Sequence, residues 1–334
     1  MTIKTNPKHA CGRRALLAAT LGTATLLGLP SMAVAQSDSS PAKLLVGFPA
    51  GGSFDGIARL LAVKLTEELK RPVIVDNKPG AGGRLAVDAL KAAPRDGSVM
   101  MLGPDALVGL YPFTYSKLNY DPAKDLVAVG TVSEFPFAIA TGTEPSVTSL
   151  TDYVAWAKKN PSKANFAVPA LGAPHHFFGL MLGKTVNVPM QEVAYQGSAP
   201  GLVALMGGQV SAMIDVVPSL TEQHKAGKIR MLAVSSNKRV PQAPDVPTFG
   251  EAGFPSIGGM GFNAIYAPSG TPAAAVTRWN AALGKVLAQP DVKSKLETWG
   301  FLAAPGTPAE LTERGKKTAL LWGPFIKWSN FKAD

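Results

Sequence analysis

From Lys43 onward, short apolar runs alternate with stretches that repeat apolar residues at helical spacing. This alternation most constrains the fold, because strands and helices in regular succession build parallel sheets flanked by helices. Strands are expected at 44–48, 73–75, 99–102, 127–132, 137–140, 164–168, 190–193, 211–217, 231–235 and 261–267. Helices are expected at 56–69, 84–92, 149–159, 175–182, 197–206, 218–226, 272–287, 290–298 and 307–328. Only one extended span falls in the last third, and three helices follow it. That order fits a chain that leaves a first domain, builds a second and returns to finish the first. The crossings are expected near Phe135-Pro136 and Gly259-Met260, where proline and glycine break the pattern.

The joints between elements carry the functional signal. Pro49-Ala50-Gly51-Gly52-Ser53-Phe54-Asp55 links the first strand to the first helix, and Asn77-Lys78-Pro79-Gly80-Ala81-Gly82-Gly83 follows the second strand. A glycine loop at a helix start brings backbone N–H groups close to an anion, since no Cβ blocks the approach and the helix dipole favours negative charge. Ser53 or Asp55 is expected to cap the helix beginning near Gly56. The second loop does not carry dinucleotide spacing: Leu85 stands where a third glycine would be, and no Gly-Lys-Ser/Thr follows.

The first 35 residues read as an export signal: Lys4, Lys8, Arg13 and Arg14, an apolar stretch from Ala15 to Leu29, then Ala33-Val34-Ala35. Arg13-Arg14 fits twin-arginine export as well as an ordinary Sec signal. Four basic residues and no acidic ones lie in this segment, so the formal charge of +10 becomes +6 without it. A modest positive balance suits anionic ligands, and the absence of a Lys/Arg block or basic-aromatic motif speaks against nucleic acid. Cys11, the only cysteine, lies in the same segment, which leaves the remainder without disulfides or cysteine-ligated metal.

Other polar residues are candidates by position. His175 and His176 are adjacent, so on a helix they diverge by about 100° and form no chelating face. One of them is expected to face a cleft or to cap the helix after Gly172-Ala173-Pro174. Asp215 ends an apolar run, where open α/β sheets bind ligands; it can hold a hydroxyl or ammonium group, or cap the helix ahead of Pro218. Tyr195-Gln196-Gly197-Ser198 also leads from a strand into a helix. No G-x-S-x-G elbow or other nucleophile–base set supports a secreted hydrolase.

Taken together, these motifs resemble the tripartite tricarboxylate transporter substrate-binding family, the Bug-type periplasmic solute receptors. The resemblance rests on both glycine loops, with Ala58-Arg59 after the first, and on Tyr120-Asp121-Pro122…Lys124-Asp125-Leu126. It continues through Val193-Ala194-Tyr195-Gln196-Gly197-Ser198-Ala199-Pro200, Leu205-Met206-Gly207-Gly208-Gln209-Val210 and the stretch from Ala226 to Val234. Pro244-Asp245-Val246-Pro247-Thr248 and Ala267-Pro268-Ser269-Gly270-Thr271-Pro272 complete the order.

The resemblance implies an α/β, two-lobed periplasmic-binding-protein (Venus-flytrap, type II) fold, each lobe a mostly parallel sheet flanked by helices. The expected division is a signal at 1–35, a first lobe of 36–136 plus 261–334, and a second lobe of 137–260. It further implies a monomeric, non-enzymatic receptor in the periplasm, without cofactor or metal, that gives a small carboxylate to membrane transporter subunits. A ligand sensor for a membrane signalling protein is the alternative. Carried over by position, the ligand contacts are Ala50, Gly51, Gly52, Ser53, Phe54 and Asp55 from the first lobe. From the second they are Gly172, Ala173, His176, Tyr195, Gln196, Gly197 and Asp215.

The chain departs from the family pattern in three places. Phe54 replaces a small or hydroxyl residue. Arg95-Asp96-Gly97-Ser98-Val99 stands for Pro-Asp-Gly-Tyr-Thr. Ala170-Leu171-Gly172-Ala173-Pro174-His175-His176 lacks the usual hydroxyl at Ala173, and Pro174 lacks an N–H. With Phe54, Phe177 and Phe178 adding apolar surface, the expected ligand is less polar than citrate: an aromatic or medium-chain carboxylate.

Overall fold

The computed structural model describes residues 40–333, so the expected signal at 1–35 lies outside them. β1 (Ala42–Val46) leads through the first glycine turn into α1 (Ser53–Leu69), and β2 (Val73–Asn77) leads through the second into α2 (Arg84–Lys91). β3 (Val99–Pro104) is followed by three one-turn helices: α3 (Ala106–Gly109), α4 (Tyr111–Thr114) and α5 (Pro122–Asp125). The long β4 (Leu126–Thr141) carries the chain to α6 (Leu150–Lys159), β5 (Asn165–Val168), α7 (Pro174–Val186), β6 (Gln191–Ala194), α8 (Ser198–Met206), β7 (Ala212–Val216), α9 (Val217–Lys225) and β8 (Arg230–Val234). β9 (Met260–Pro268), α10 (Ala273–Ala288), α11 (Pro290–Thr298), β10 (Leu302–Ala303) and α12 (Pro308–Ser329) complete the described chain.

The strands form one curled, mixed sheet in the order β2-β1-β3-β9-β4-β7-β5-β6, with β8 and β10 also pairing with β4. Parallel ladders occupy its two ends: β2-β1-β3 at one, β7-β5-β6 at the other. Antiparallel pairs join them through β9 and β4. The parallel character read from the alternation therefore belongs to the two ends, and the antiparallel middle is not visible in it.

Two strands were expected where β4 runs unbroken through Pro136. Pro136 pairs with Met260 of β9, and Phe137 pairs with Val216 of β7. The residue lacking an N–H thus stands where the strand changes partners, a place where a missing ladder donor is tolerated.

The main core collects the buried face of α1 (Ile57, Leu61, Leu65, Leu69) against Leu44, Val46, Met100 and Leu102 of the first parallel ladder. A smaller cluster, including Met213, Val217, Leu220 and Met231, lies under α8 and α9. Each such aliphatic side chain contributes about 1.5–3 kcal/mol by leaving water. α12 starts on a reciprocal cap: Thr307 Oγ1 accepts from the Glu310 N–H while Glu310 accepts from the Thr307 N–H.

Candidate ligand-binding site

Because β1, β2 and β3 are parallel, the turns that follow them emerge at one sheet edge. α1 begins at Ser53, three residues earlier than the hydrophobic pattern predicts, with Gly52 at the cap position and no capping side chain. Ser53 and Asp55 are thus inside the first turn, which corrects the expectation that either caps the helix. Gly51 adopts φ +85°, a conformation open to glycine, and its N–H donates to Asp55 Oδ2 at 2.9 Å. Asp55 is buried and also accepts from Arg59 Nε at 2.8 Å and from Asn77 Nδ2 at 3.0 Å. Asn77 in turn donates to the Phe48 carbonyl at 3.1 Å. The Arg59 hydrogen bond first, then the Gly51 and Asn77 donors, outweigh burial and hold the Asp55 carboxyl at about 2.

Asp55 is therefore committed to bracing the turn. Ala50, Gly51, Gly52 and Ser53 are exposed around the start of α1, whose first N–H groups have no intrahelical acceptor. Phe54 is half-buried and stacks on Phe48, ring centroids 4.3 Å apart. The second turn closes over the end of β1: a Cβ on Gly47 would overlap the Gly83 backbone. The Gly82 carbonyl accepts from the Tyr111 hydroxyl at 3.0 Å.

The other parallel ladder repeats the arrangement, with β5, β6 and β7 leading to the N-termini of α7, α8 and α9. Gly172, at φ +75°, donates its N–H to His176 Nδ1 at 3.2 Å. The spacing is that of Gly51 and Asp55: the third residue of the helix reaches back to the glycine just before the cap. His176 is fully buried, packed edge-on to Phe331 and beside Phe177, and its Nε2 is 3.8 Å from Glu192 Oε1. Burial dominates and lowers its pKa. His175 hydrogen-bonds the Ala170 carbonyl through Nε2 at 3.0 Å, and burial pushes it down to about 4. Neither histidine caps α7, whose cap residue is Ala173.

Gly197, at φ +100°, precedes α8 and donates to the Pro169 carbonyl at 3.1 Å, which draws the two loops together. Tyr195 is half-buried and Gln196 exposed. Asp215 is buried; Oδ1 accepts from the Val216 N–H at 2.7 Å, and Oδ2 has no hydrogen-bond partner. Burial raises its pKa to about 6, an effect that the Ser198 and Ser219 hydroxyls only partly oppose. Those hydroxyls, at the starts of α8 and α9, are 3.4 Å apart. Asp215 does not cap α9, whose cap residue is Val216.

Two contacts tie the edges together. A Cβ on Gly56 in α1 would meet the Trp299 ring at van der Waals distance, and one on Gly300, the residue after Trp299, would overlap Pro218 at the start of α9. At the C-terminal tail, Phe331 abuts Gly172, while the Ala333 N–H donates to the Thr114 carbonyl at 2.8 Å.

Phe177 and Phe178 correct an expectation. Both are buried, Phe178 against Phe137 and Trp322, so neither adds apolar surface to a ligand cleft. Of the three phenylalanines, only Phe54 keeps that possibility. Sequence reasoning also missed Asn77 and Arg59, which fix Asp55, and Asp105, which follows β3 at the first edge; the Asn77 beginning the second glycine loop and the i,i+4 spacing of Arg59 were the available signals. Hollows of about 430 and 530 Å³ elsewhere on the surface, such as those along α12 and beside His224, contain none of the expected contact residues.

Two α/β lobes joined by long strands, each presenting positive-φ glycines and helix starts, define a protein of the periplasmic solute-binding class. No helix among the described residues is long and apolar enough to cross a membrane. A family model described as "Tripartite tricarboxylate transporter family receptor" matches residues 57–330. BugT of Bordetella pertussis (strain Tohama I) is 33% identical over 279 residues, 81% of this chain and 82% of that protein. The solved R. palustris Rpa4515 with adipate is 30% identical, covers 86% of this chain and 96% of that one, and superposes with a TM-score of 0.76. MatC from Rhodopseudomonas palustris with bound malate is 28% identical, with 86% and 98% coverage and a TM-score of 0.73. The chain belongs to the tripartite tricarboxylate transporter receptor family, with Bug-type proteins among its relatives.

Proposed function

We propose that this protein is a non-enzymatic periplasmic receptor that closes two lobes on one small carboxylate and presents it to a tripartite membrane carrier. The observation that carries the reading is the repeated turn: Gly51 braced by Asp55 and Gly172 braced by His176, each at the start of a long helix. Such turns offer fixed N–H donors to an anion with no Cβ in the way. Ala50, Gly51, Gly52, Ser53 and Phe54 supply one side; Gly172, Ala173, Tyr195, Gln196, Gly197 and Asp215 supply the other. Asp55 and His176 act behind them as braces. Among the described residues, the first lobe comprises those up to 136 and from 261 onward, the second 137–260, and the hinge is where β4 exchanges β9 for β7. Ligand contacts to both lobes favour the closed form, with no chemical step.

Adipate and malate in the two solved relatives favour a dicarboxylate. The Phe48–Phe54 stack favours a ligand with an apolar chain or ring over a hydroxylated tricarboxylate such as citrate. A thermal-shift screen of mono-, di- and tricarboxylates and aromatic acids tests this. A ligand at 100 times its Kd stabilises the protein by about 2.7 kcal/mol. Tight citrate binding with no response to adipate or aromatic acids would overturn the ligand class.

A further inference from the structure

Asp105 follows β3 directly, at the edge that carries both first-lobe glycine turns. Its N–H donates to the Phe262 carbonyl at 2.9 Å, and the neighbouring pair Pro104–Asn263 lies three residues from Met260, where β9 meets β4 at Pro136. The residue therefore stands on the sheet edge nearest the exchange between the lobes. It is 3% exposed, stands at the cap position of α3 without a side-chain capping hydrogen bond, and makes no ion pair among the described residues.

Among the described residues no cation pairs with it. Tyr111 from α4, Tyr266 from β9 and Tyr120 ahead of α5 bring hydroxyls that burial keeps neutral. Arg84 of α2 lies over the Tyr115 ring and donates to the Ala81 carbonyl, while Arg314 of α12 is paired with Glu134. Asp55, held ionised by Arg59, is a second buried carboxyl at this edge, and Asp215 is one on the facing lobe.

We propose that Asp105 is a proton-carrying contact of the captured ligand: its neutral carboxyl donates a hydrogen bond to the ligand carboxylate, so capture draws one proton from solvent onto Asp105. This rests on the carboxylate-receptor reading above. Two ionised carboxylates cannot share a buried site, so an anionic ligand at this edge requires one of the pair to hold a proton. Burial already raises Asp105 to about 7, with the N–H groups at the start of α3 offsetting only part of the rise. Proton uptake near neutrality is therefore within reach of a weakly bound anion.

Calorimetric titration of the purified protein with adipate, malate and benzoate in two buffers of different ionisation enthalpy tests the coupling. At about pH 8 the wild type should take up close to one proton more per ligand bound than Asp105→Asn, which retains the shape without the titrating group. Wild-type affinity should fall about tenfold between about pH 6 and pH 8, while the variant's changes by no more than about twofold. Equal uptake in both proteins, or affinity that rises with pH, overturns the proposal. Circular dichroism checks the variant's fold; if it does not fold, a wild type that takes up no proton at about pH 8 overturns the proposal alone. If none of the three acids binds the wild type at about pH 6, the receptor reading falls first and this inference with it.

Discussion

The Gly172 amide donates to His176 four residues ahead, and the same relationship links Gly51 to Asp55 in the other lobe. A carboxylate and an imidazole thus do one job at two helix starts. Each holds a positive-φ glycine in place, so the backbone leading into the helix is fixed before any ligand arrives.

The acid limb of stability should report the Asp55 brace. A carboxyl held at about 2 in the folded state, against 3.8 ordinarily, contributes up to about 2 kcal/mol at neutral pH. The folded value is depressed, so that contribution is complete above about pH 4 and is lost as pH falls towards 2. Asp55→Asn should lose about 2 kcal/mol in urea unfolding near neutrality and much less near pH 2. An equal loss at both would show that the carboxylate charge is not what stabilises the turn.

Glycine substitutions should separate close approach from mere flexibility. A methyl at Gly47 meets the Gly83 backbone, which no rotamer relieves, so Gly47→Ala should cost about 1–3 kcal/mol or more. Gly284, within α10, has open space where its Cβ would lie, and Gly284→Ala should stabilise by about 0.5–1 kcal/mol. Thermal denaturation of the two variants distinguishes them by sign.

Selectivity should move with Phe54. A ligand that packs an apolar group on the Phe54 ring loses about 0.8 kcal/mol per CH₂ left uncovered, so Phe54→Ala should weaken benzoate or adipate up to about tenfold. Malate should change less, because its hydroxylated chain gains little from the rings. Competition titrations give the ratio; an equal loss for all three acids would assign Phe54 a purely structural role.

The tail should insulate His176. Phe331 packs against His176, Phe177 and Gly172, so Phe331→Ala should lower stability by about 2 kcal/mol. Water admitted to the ring should return the His176 pKa, lowered in the wild type by burial, towards 6.5. An NMR titration of the imidazole reads this directly.

Much of this architecture is legible in the sequence, because apolar periodicity and glycine turns are local properties. The strand–glycine–helix joints after β1 and β2 are where the residues place them, and α2, α6 and α11 run within a residue of expectation. What the sequence hides is pairing and direction. Pro136 looks like a break until β9 and β7 are seen to share β4 on either side of it. Phe177 and Phe178 look like cleft residues until Phe137, Trp322 and Phe331 enclose them from distant segments. Asp105 carries no motif, and only the sheet brings it to the edge of the glycine turns.

The central claim is that two lobes close on a small carboxylate. Calorimetric titration of the purified protein with adipate, malate, citrate and benzoate, with small-angle scattering on the same samples, tests it most directly. The account predicts one-to-one binding of at least one of these acids, with a smaller radius of gyration on saturation. Flat titrations for every acid, with an unchanged scattering profile, would contradict it.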